Sequence, residues 1–247
     1  MNDLERYFEA NTRRLIHKWM HYFEIYDRHF ARFRGTDVHV LEFGVSQGGS
    51  LQMWKDYFGP KCRIYGADIN PHCKQHEEDG IQIFIGDQED RGFLRTVAAS
   101  VPRIDILIDD GGHTMRQQIA TFEELFGRID ENGVYLCEDN HTSYWKNFGG
   151  GYRQRNTFIE YSKNLIDRIH AWHSQTPALA VDAFTRSAHS MHYYDSILVI
   201  EKRPIAAPTH RKTGTHTIPD YVAPRDLART GFRAGIKRAV KGITRRR

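Results

Sequence analysis

The chain has 247 residues, 40% hydrophobic and 27% charged, the proportions of a soluble globular protein with one full core. It has no transmembrane run, its opening MNDLERYFEANTRR lacks the apolar core of a signal peptide, and Cys62, Cys73 and Cys137 form neither a CxxC pattern nor a disulfide framework. A cytoplasmic protein with reduced cysteines is expected. The net charge of +4 is uneven: residues 225–247 hold nine Lys or Arg and one acid, a surplus of eight, which leaves residues 1–224 four charges negative. Global basicity therefore says little about the body of the chain.

Within RRLIHKWMHYFEIYDRHFARF, apolar and aromatic residues recur at Ile16, Trp19, Met20, Phe23, Tyr26, Phe30 and Phe33. This three-and-four spacing predicts an amphipathic helix that packs on a sheet or covers a site. After Gly35 the pattern changes to short β-branched and apolar runs at 38–43, 64–67, 81–85, 104–108, 133–137 and 196–201. Helical patterns fill most gaps, at 49–57, 90–99, 115–126 and 154–169. Strands alternating with helices imply βαβ units and a mostly parallel α/β sheet. The organisation expected is an N-terminal helical segment (1–34), a catalytic domain (35–202), a Pro-, Thr- and His-rich linker (203–224) and a basic amphipathic tail (225–247).

Successive strands end in acids: Glu42, Asp68, Asp87, Asp109 with Asp110, and Glu138 with Asp139. In an open α/β sheet these positions share the rim where ligands bind. VHVLEFGVSQGGSLQMW reads as strand, glycine-rich turn and helix start, with Gly44, Gly48 and Gly49 allowing close approach of a ligand. It is not GxGxxG, since Ser46 stands at the second glycine position, and no P-loop is present. Asp68 is placed to accept hydrogen bonds from ribose hydroxyls, and Asp87 with Gln88 beside it to face an adenine.

The stretches LEFGVSQGGS, IYGADIN, IGDQED, ILIDDGGH and CEDNHTSYW together resemble the class I S-adenosylmethionine-dependent methyltransferases. Within these they are most similar to metal-dependent macrolide and sugar O-methyltransferases. The resemblance spans roughly residues 14–202, and DDGGH with the later ED pair is its most specific part. It implies a Rossmann-like, seven-stranded sheet with helices on both faces and an antiparallel last strand, and SAHSMHYY with DSILVIEK, turning near Asp195, suits that closing hairpin. It implies an adenosylmethionine site made by Glu42, Gly44, Ser46, Gly48, Gly49, Ser50, Asp68, Asp87, Gln88 and Asp109.

Asp110, Glu138 and Asp139 bring three carboxylates to one point, where a hard divalent cation, Mg²⁺ or Mn²⁺, relieves their repulsion. Capping of the following helices by Asp109, Asp110 or Asp139 is the structural alternative. A sugar hydroxyl must lose its proton as it attacks a sulfonium methyl, and His113 is positioned to take it, the role the resemblance also assigns. His141, Tyr144 and Trp145 offer aromatic faces to a sugar, with core packing an equal alternative for Trp145. Gly149, Gly150 and Gly151 would permit a lid, and His21 and Tyr22 are candidates to reach in from the N-terminal helix.

The expected activity is Mg²⁺-dependent O-methylation of a sugar hydroxyl in a glycoside, glycolipid or surface glycan. A catechol-type methyltransferase, a nucleic-acid methyltransferase and a non-catalytic adenosylmethionine-binding protein are the alternatives; no nucleic-acid partner is expected, because no RNA-binding module supports one. A homo-oligomer is compatible with the sequence. In the tail, Phe232, Ile236, Ala239, Val240 and Ile243 share one helical face against Arg229, Arg233, Lys237, Arg238 and Lys241. That pattern fits a helix lying on an anionic membrane surface near a lipid-linked acceptor, a helix docked on protein, or a disordered tail.

Overall fold

The computed structural model describes residues 1–218. Its strands are β1 (His39–Phe43), β2 (Arg63–Asp68), β3 (Ile81–Ile85), β4 (Ile104–Asp109), β5 (Ile129–Cys137), β6 (Ala188–Tyr194) and β7 (Ile197–Lys202). They form one sheet in the order β3-β2-β1-β4-β5-β7-β6. β1 to β5 pair in parallel, whereas β7 runs antiparallel to both β5 and β6. From β1 the chain builds outward through β2 and β3, then returns to the other side of β1 with β4. That reversal opens a crevice beyond the carboxyl ends of β1 and β4.

Strand alternation sorts the side chains into two apolar layers. On one face Val40, Ile64, Ile106 and Leu136 meet α1 (Asp3–Glu9), α2 (Tyr22–Phe30) and α3 (Gly49–Phe58) through Leu4, Phe23, Tyr26, Phe30 and Trp54. On the other, Leu41, Tyr65, Leu107 and Tyr135 meet α4 (Arg91–Ser100), α5 (Met115–Leu125) and α6 (Phe158–Ile169) through Leu94, Phe122, Phe158 and Leu165. The N-terminal helices thus complete a core layer of the sheet.

The long amphipathic helix expected across residues 16–33 is shorter. α2 starts at Tyr22, and residues 11–21 form neither helix nor strand. Trp19 and Met20 fit the helical period yet are 54% and 47% exposed, while Ile16 is buried. This stretch is drawn across the sheet rim instead, because Lys18 reaches acids at the ends of β4 and β5.

Residues 1–207 form one compact unit, and the described residues beyond it, 208–218, have no helix or strand. Arg203 and Ile205 still donate their backbone N–H groups to the Ser187 and Arg186 carbonyls, each at 2.8 Å, so residues 203–207 belong with the sheet and not with the expected linker. The basic tail, 225–247, lies outside the described residues. Among the described residues no helix is long and apolar enough to cross a membrane.

Candidate active site

The crevice is a cleft of about 420 Å³, walled by the turn after β1, the ends of β2 and β4, the turn after β3 and the N-terminal stretch Leu15–Lys18. Its floor begins at Gly44, whose φ of +95° and close approach both demand glycine: a Cβ there would lie 1.9 Å from the Asp110 carbonyl oxygen. Gly48, at φ +74°, caps α3, and Gly49 opens it beneath the Arg14 and Leu15 carbonyls. Ser46 and Ser50 complete this wall. The N-terminus of α3 therefore opens on the cleft from a turn whose glycines have no room for a side chain.

Asp68 sits on the cleft wall and organises that turn. One carboxylate oxygen accepts the N–H groups of Val45 and Ser46 at 2.9 and 3.0 Å, and the other accepts Asn70 N–H at 2.8 Å. Two carboxylate oxygens offer about four acceptor sites, so capacity for a ribose hydroxyl remains.

Four of the ten expected cofactor residues do not line the cleft: Gly48, which caps α3 beside it, and Asp87, Glu42 and Asp109. Asp87 is exposed and outside the cleft lining, where its Oδ1 accepts Glu89 N–H at 2.8 Å to shape a turn. Its neighbours Gly86 and Gln88 line the cleft instead. Glu42 is fully buried beneath the floor, accepting Ser50 Oγ–H at 3.0 Å and Trp54 Nε1–H at 3.1 Å. Asp109 is fully buried as well, and its Oδ1 accepts the Gln88 amide at 2.6 Å. Burial pushes its carboxyl up to about 6. Consecutive residues at a strand end point to opposite sides, which sends Asp109 inward and Asp110 to the cleft.

The other end of the cleft gathers Asp110, His113 and Asp139, whose candidate ligand atoms all lie within 4.8 Å of one another. His113 Nε2 is 3.5 Å from Asp139 and 3.9 Å from Asp110, and its buried Nδ1 has no partner. His113 and Asp139 both adopt left-handed backbone, at φ +55° and +53°, as does Ser46 at +48°. Such strained non-glycine positions persist where surrounding structure fixes them, often at functional sites. Neither helix-capping alternative is realised. Thr114 caps α5 in a capping box with Gln117, and Asp139 makes no side-chain cap.

Glu138 is turned away from this trio. It is 1% exposed, accepts Tyr26 O–H at 2.7 Å, and lies 2.8 and 2.9 Å from Lys18 Nζ. The same ammonium contacts Asp110 and comes within 4.0 Å of Glu42, whose Oε1 is buried without a hydrogen-bond partner. Burial comes first in raising the carboxyls of Glu42 and Asp110 to about 7 and Glu138 to about 8, despite the facing lysine. For Lys18 burial acts downward, but Asp110, Glu138 and Glu42 outweigh it and hold the ammonium charged. One ammonium serves two buried acids and the partly exposed Asp110, a crowding of carboxyl oxygens that a divalent cation fits.

Of the expected acceptor residues, Tyr144 and Trp145 are 52% and 48% exposed, so Trp145 is not a core residue. The His141 ring packs 4.5 Å from Trp145 and 6.0 Å from Trp19, centroid to centroid, with Nδ1 hydrogen-bonded to Ser196. Tyr22 is buried and supports the acids instead: its hydroxyl donates to Asp139 at 2.7 Å. His21 Nε2 meets the Asp195 carbonyl at 3.1 Å. The three glycines of the supposed lid are tied down, with Gly150 and Gly151 donating to Trp145 and Ser143 and Gly150 packed too tightly on the Thr142–Ser143 backbone for any side chain.

Lys18 and Tyr26 were invisible as site residues in the sequence; a lysine among aromatics in IHKWMHY was the only signal. A second group with metal-ligand spacing, His29, His192 and Glu201, is closed by its own hydrogen bonds: His29 Nδ1 meets Glu201 at 2.7 Å, and its Nε2 meets Tyr194 O–H at 2.9 Å.

No protein-family profile matches the chain. It is 37% identical over 193 residues to 8-demethyl-8-alpha-L-rhamnosyl tetracenomycin-C 2'-O-methyltransferase of Streptomyces olivaceus, covering 74% of this chain and 50% of that protein. It is 37% identical over 189 residues to mycinamicin VI 2''-O-methyltransferase of Micromonospora griseorubida, covering 72% of this chain and 47% of that protein. The chain thus spans about half the length of the curated relatives it matches. A solved structure of the MycE methyltransferase of mycinamycin biosynthesis, in complex with Mg, SAH and mycinamycin VI, superposes with a TM-score of 0.71 at 34% identity, covering 82% of this chain and 53% of that one.

Proposed function

We propose that this chain, which has the class I methyltransferase fold and is homologous to sugar O-methyltransferases of antibiotic biosynthesis, methylates a sugar hydroxyl of a small glycoside using adenosylmethionine and Mg²⁺. The observation that carries the reading is the meeting of Asp110, His113 and Asp139 at the end of a cleft whose other end is a glycine turn organised by Asp68. Bound adenosylmethionine supplies an electrophilic methyl group, and bound Mg²⁺, or Mn²⁺ in its place, a Lewis acid that orients and acidifies the acceptor hydroxyl.

The residues fit both groups. The turn from Gly44 to Gly49 lines the cleft, with Gly44 packed directly on the Asp110 backbone and Gly49 on that of Arg14 and Leu15, and Asp68 keeps acceptor capacity beside it. Asp110 and Asp139 present oxygen ligands of the kind Mg²⁺ prefers, and Glu138 lies adjacent, which leaves the imidazole of His113 free as a base. The acceptor proton goes to His113 Nε2, with the Asp139 carboxylate 3.5 Å away to stabilise the imidazolium. The half-exposed Trp145 and Tyr144, with His141 packed on Trp145, are the faces offered to the sugar ring.

The relatives' names favour sugars on polyketide aglycones over a polysaccharide or lipid-linked glycan. The test is methyl transfer to a panel of rhamnosyl and macrolide glycosides, catechol and RNA, followed by mass spectrometry with and without EDTA. Product from a glycoside, abolished by EDTA and restored by Mg²⁺, is expected. Transfer to catechol or RNA alone, or undiminished transfer in EDTA, would refute the reading.

A further inference from the structure

We propose that Lys18 is a tethered competitor of the divalent ion: its ammonium occupies the carboxylate box in the metal-free protein and withdraws when the metal is loaded. The inference rests on the metal reading above. Nζ makes hydrogen bonds to Asp110 and to both oxygens of Glu138, so the two acids share one cation already. A divalent ion held by Asp110 and Asp139 needs the Asp110 carboxylate, with which the ammonium is already paired, at about 2.0–2.1 Å, which would bring two cations together without a screening group between them. The lysine side chain is 3% exposed, so it fills the box instead of skirting it. Glu42 Oε1, buried and without a hydrogen-bond partner, lies 4.0 Å from the same ammonium, too far for it to donate a hydrogen bond there.

The backbone that carries Lys18 is suited to such an exchange. Residues 11–21 have no helical or strand ladder to break. Their other anchors lie to either side of Lys18: Arg14 donates to the His76 carbonyl at 3.1 Å and pairs with Glu78 at 3.2 Å, Ile16 is buried, Trp19 packs on His141, and His21 Nε2 meets the Asp195 carbonyl at 3.1 Å. Leu15 and Trp19, on either side, are 68% and 54% exposed. Because the Arg14 and Leu15 carbonyls lie over Gly49, withdrawal of Lys18 alters the wall of the cofactor cleft as well as the acids. Metal loading and closure of the cofactor site are thereby linked through one side chain.

The experiment is amine acetylation of the full-length chain, stripped of metal, across a Mg²⁺ titration, read at each lysine by mass spectrometry beside calorimetric metal binding. Lys18 is expected to resist acetylation without Mg²⁺ and to become reactive over the concentrations at which Mg²⁺ binds. Lys202, also buried but bonded to the Phe126 and Ile129 carbonyls, is the internal reference and stays protected. Lys18→Met, which keeps the stem and removes the charge, is expected to bind Mg²⁺ at least about tenfold more tightly, since the competing state is gone. Stoichiometric Mg²⁺ binding with Lys18 equally protected throughout overturns the exchange while sparing the metal reading. Absence of Mg²⁺ binding in both proteins overturns both, and binding by Lys18→Met alone supports the competition. The acetylation arm needs no variant, so a misfolded Lys18→Met leaves the test intact.

Discussion

At the scale of single residues, the two ends of the cleft depend on different chemistry and respond to different substitutions. Asp68 both organises the turn after β1 and offers acceptors to a ribose, so Asp68→Ala removes two contributions at once. Adenosylhomocysteine affinity should fall by the equivalent of roughly 1–3 kcal/mol, the range for a charge-assisted hydrogen bond. Calorimetry on the folded variant checks this, and an unchanged dissociation constant would take Asp68 out of the site. His113 is the reverse case. No hydrogen bond ties its ring to the fold, as the partnerless Nδ1 shows, so His113→Ala should leave the structure and both affinities nearly unchanged. Turnover should drop by about 10²–10⁴, the usual contribution of a positioned general base. A large loss of Mg²⁺ affinity in this variant would instead make His113 a ligand. The acids themselves were legible because each ends an apolar run, but their directions were not. Asp109 and Asp110 are adjacent, yet one binds Gln88 in the interior and the other faces the cleft, a difference set by strand pleat and register.

At the scale of elements, the glycine turn couples two strands that the sequence shows only as separate runs. Gly44 ends β1 and its Cα hydrogens lie against the backbone after β4, where any side chain would strike the Asp110 carbonyl. Gly44→Ala is therefore expected to push the turn away from β4, displacing Asp110 together with the cofactor wall. The variant should melt at a lower temperature and lose adenosylhomocysteine and Mg²⁺ affinity together; loss of one without the other would show that the two ends are not mechanically joined through this contact. The central strands were readable as short apolar runs because they are buried on both faces, as β1 is from Val40 to Phe43. The stretch before α2 was misread for a physical reason. Trp19 and Met20 fall on the helical period by composition, but the buried acids bind Lys18 and hold the backbone out of helix. Periodicity reports burial against a sheet; it carries no trace of an ion pair formed across 92 to 120 residues of chain.

At the scale of the whole molecule, every strand and every cleft-lining residue among the described residues lies within residues 1–207, whereas the positive surplus sits in 225–247. The cleft and the positive surplus thus lie in different parts of the chain, so their contributions should separate experimentally. A chain ending at residue 207 is expected to keep its melting temperature and adenosylhomocysteine affinity, because no pocket or sheet residue is removed. We propose that the tail serves instead for association with anionic surfaces, on the support of its nine basic residues and its apolar stripe from Phe232 to Ile243. Each basic residue near such a surface contributes about 1 kcal/mol, and that attraction fades within a Debye length. Sedimentation with phosphatidylserine vesicles should therefore carry down the full-length chain at low salt, much less of it at high salt, and little of the truncated chain at either. Equal sedimentation of the two chains would remove the tail from any surface role, and sedimentation of the full-length chain that persists at high salt would assign the attachment to the apolar stripe instead of the charge.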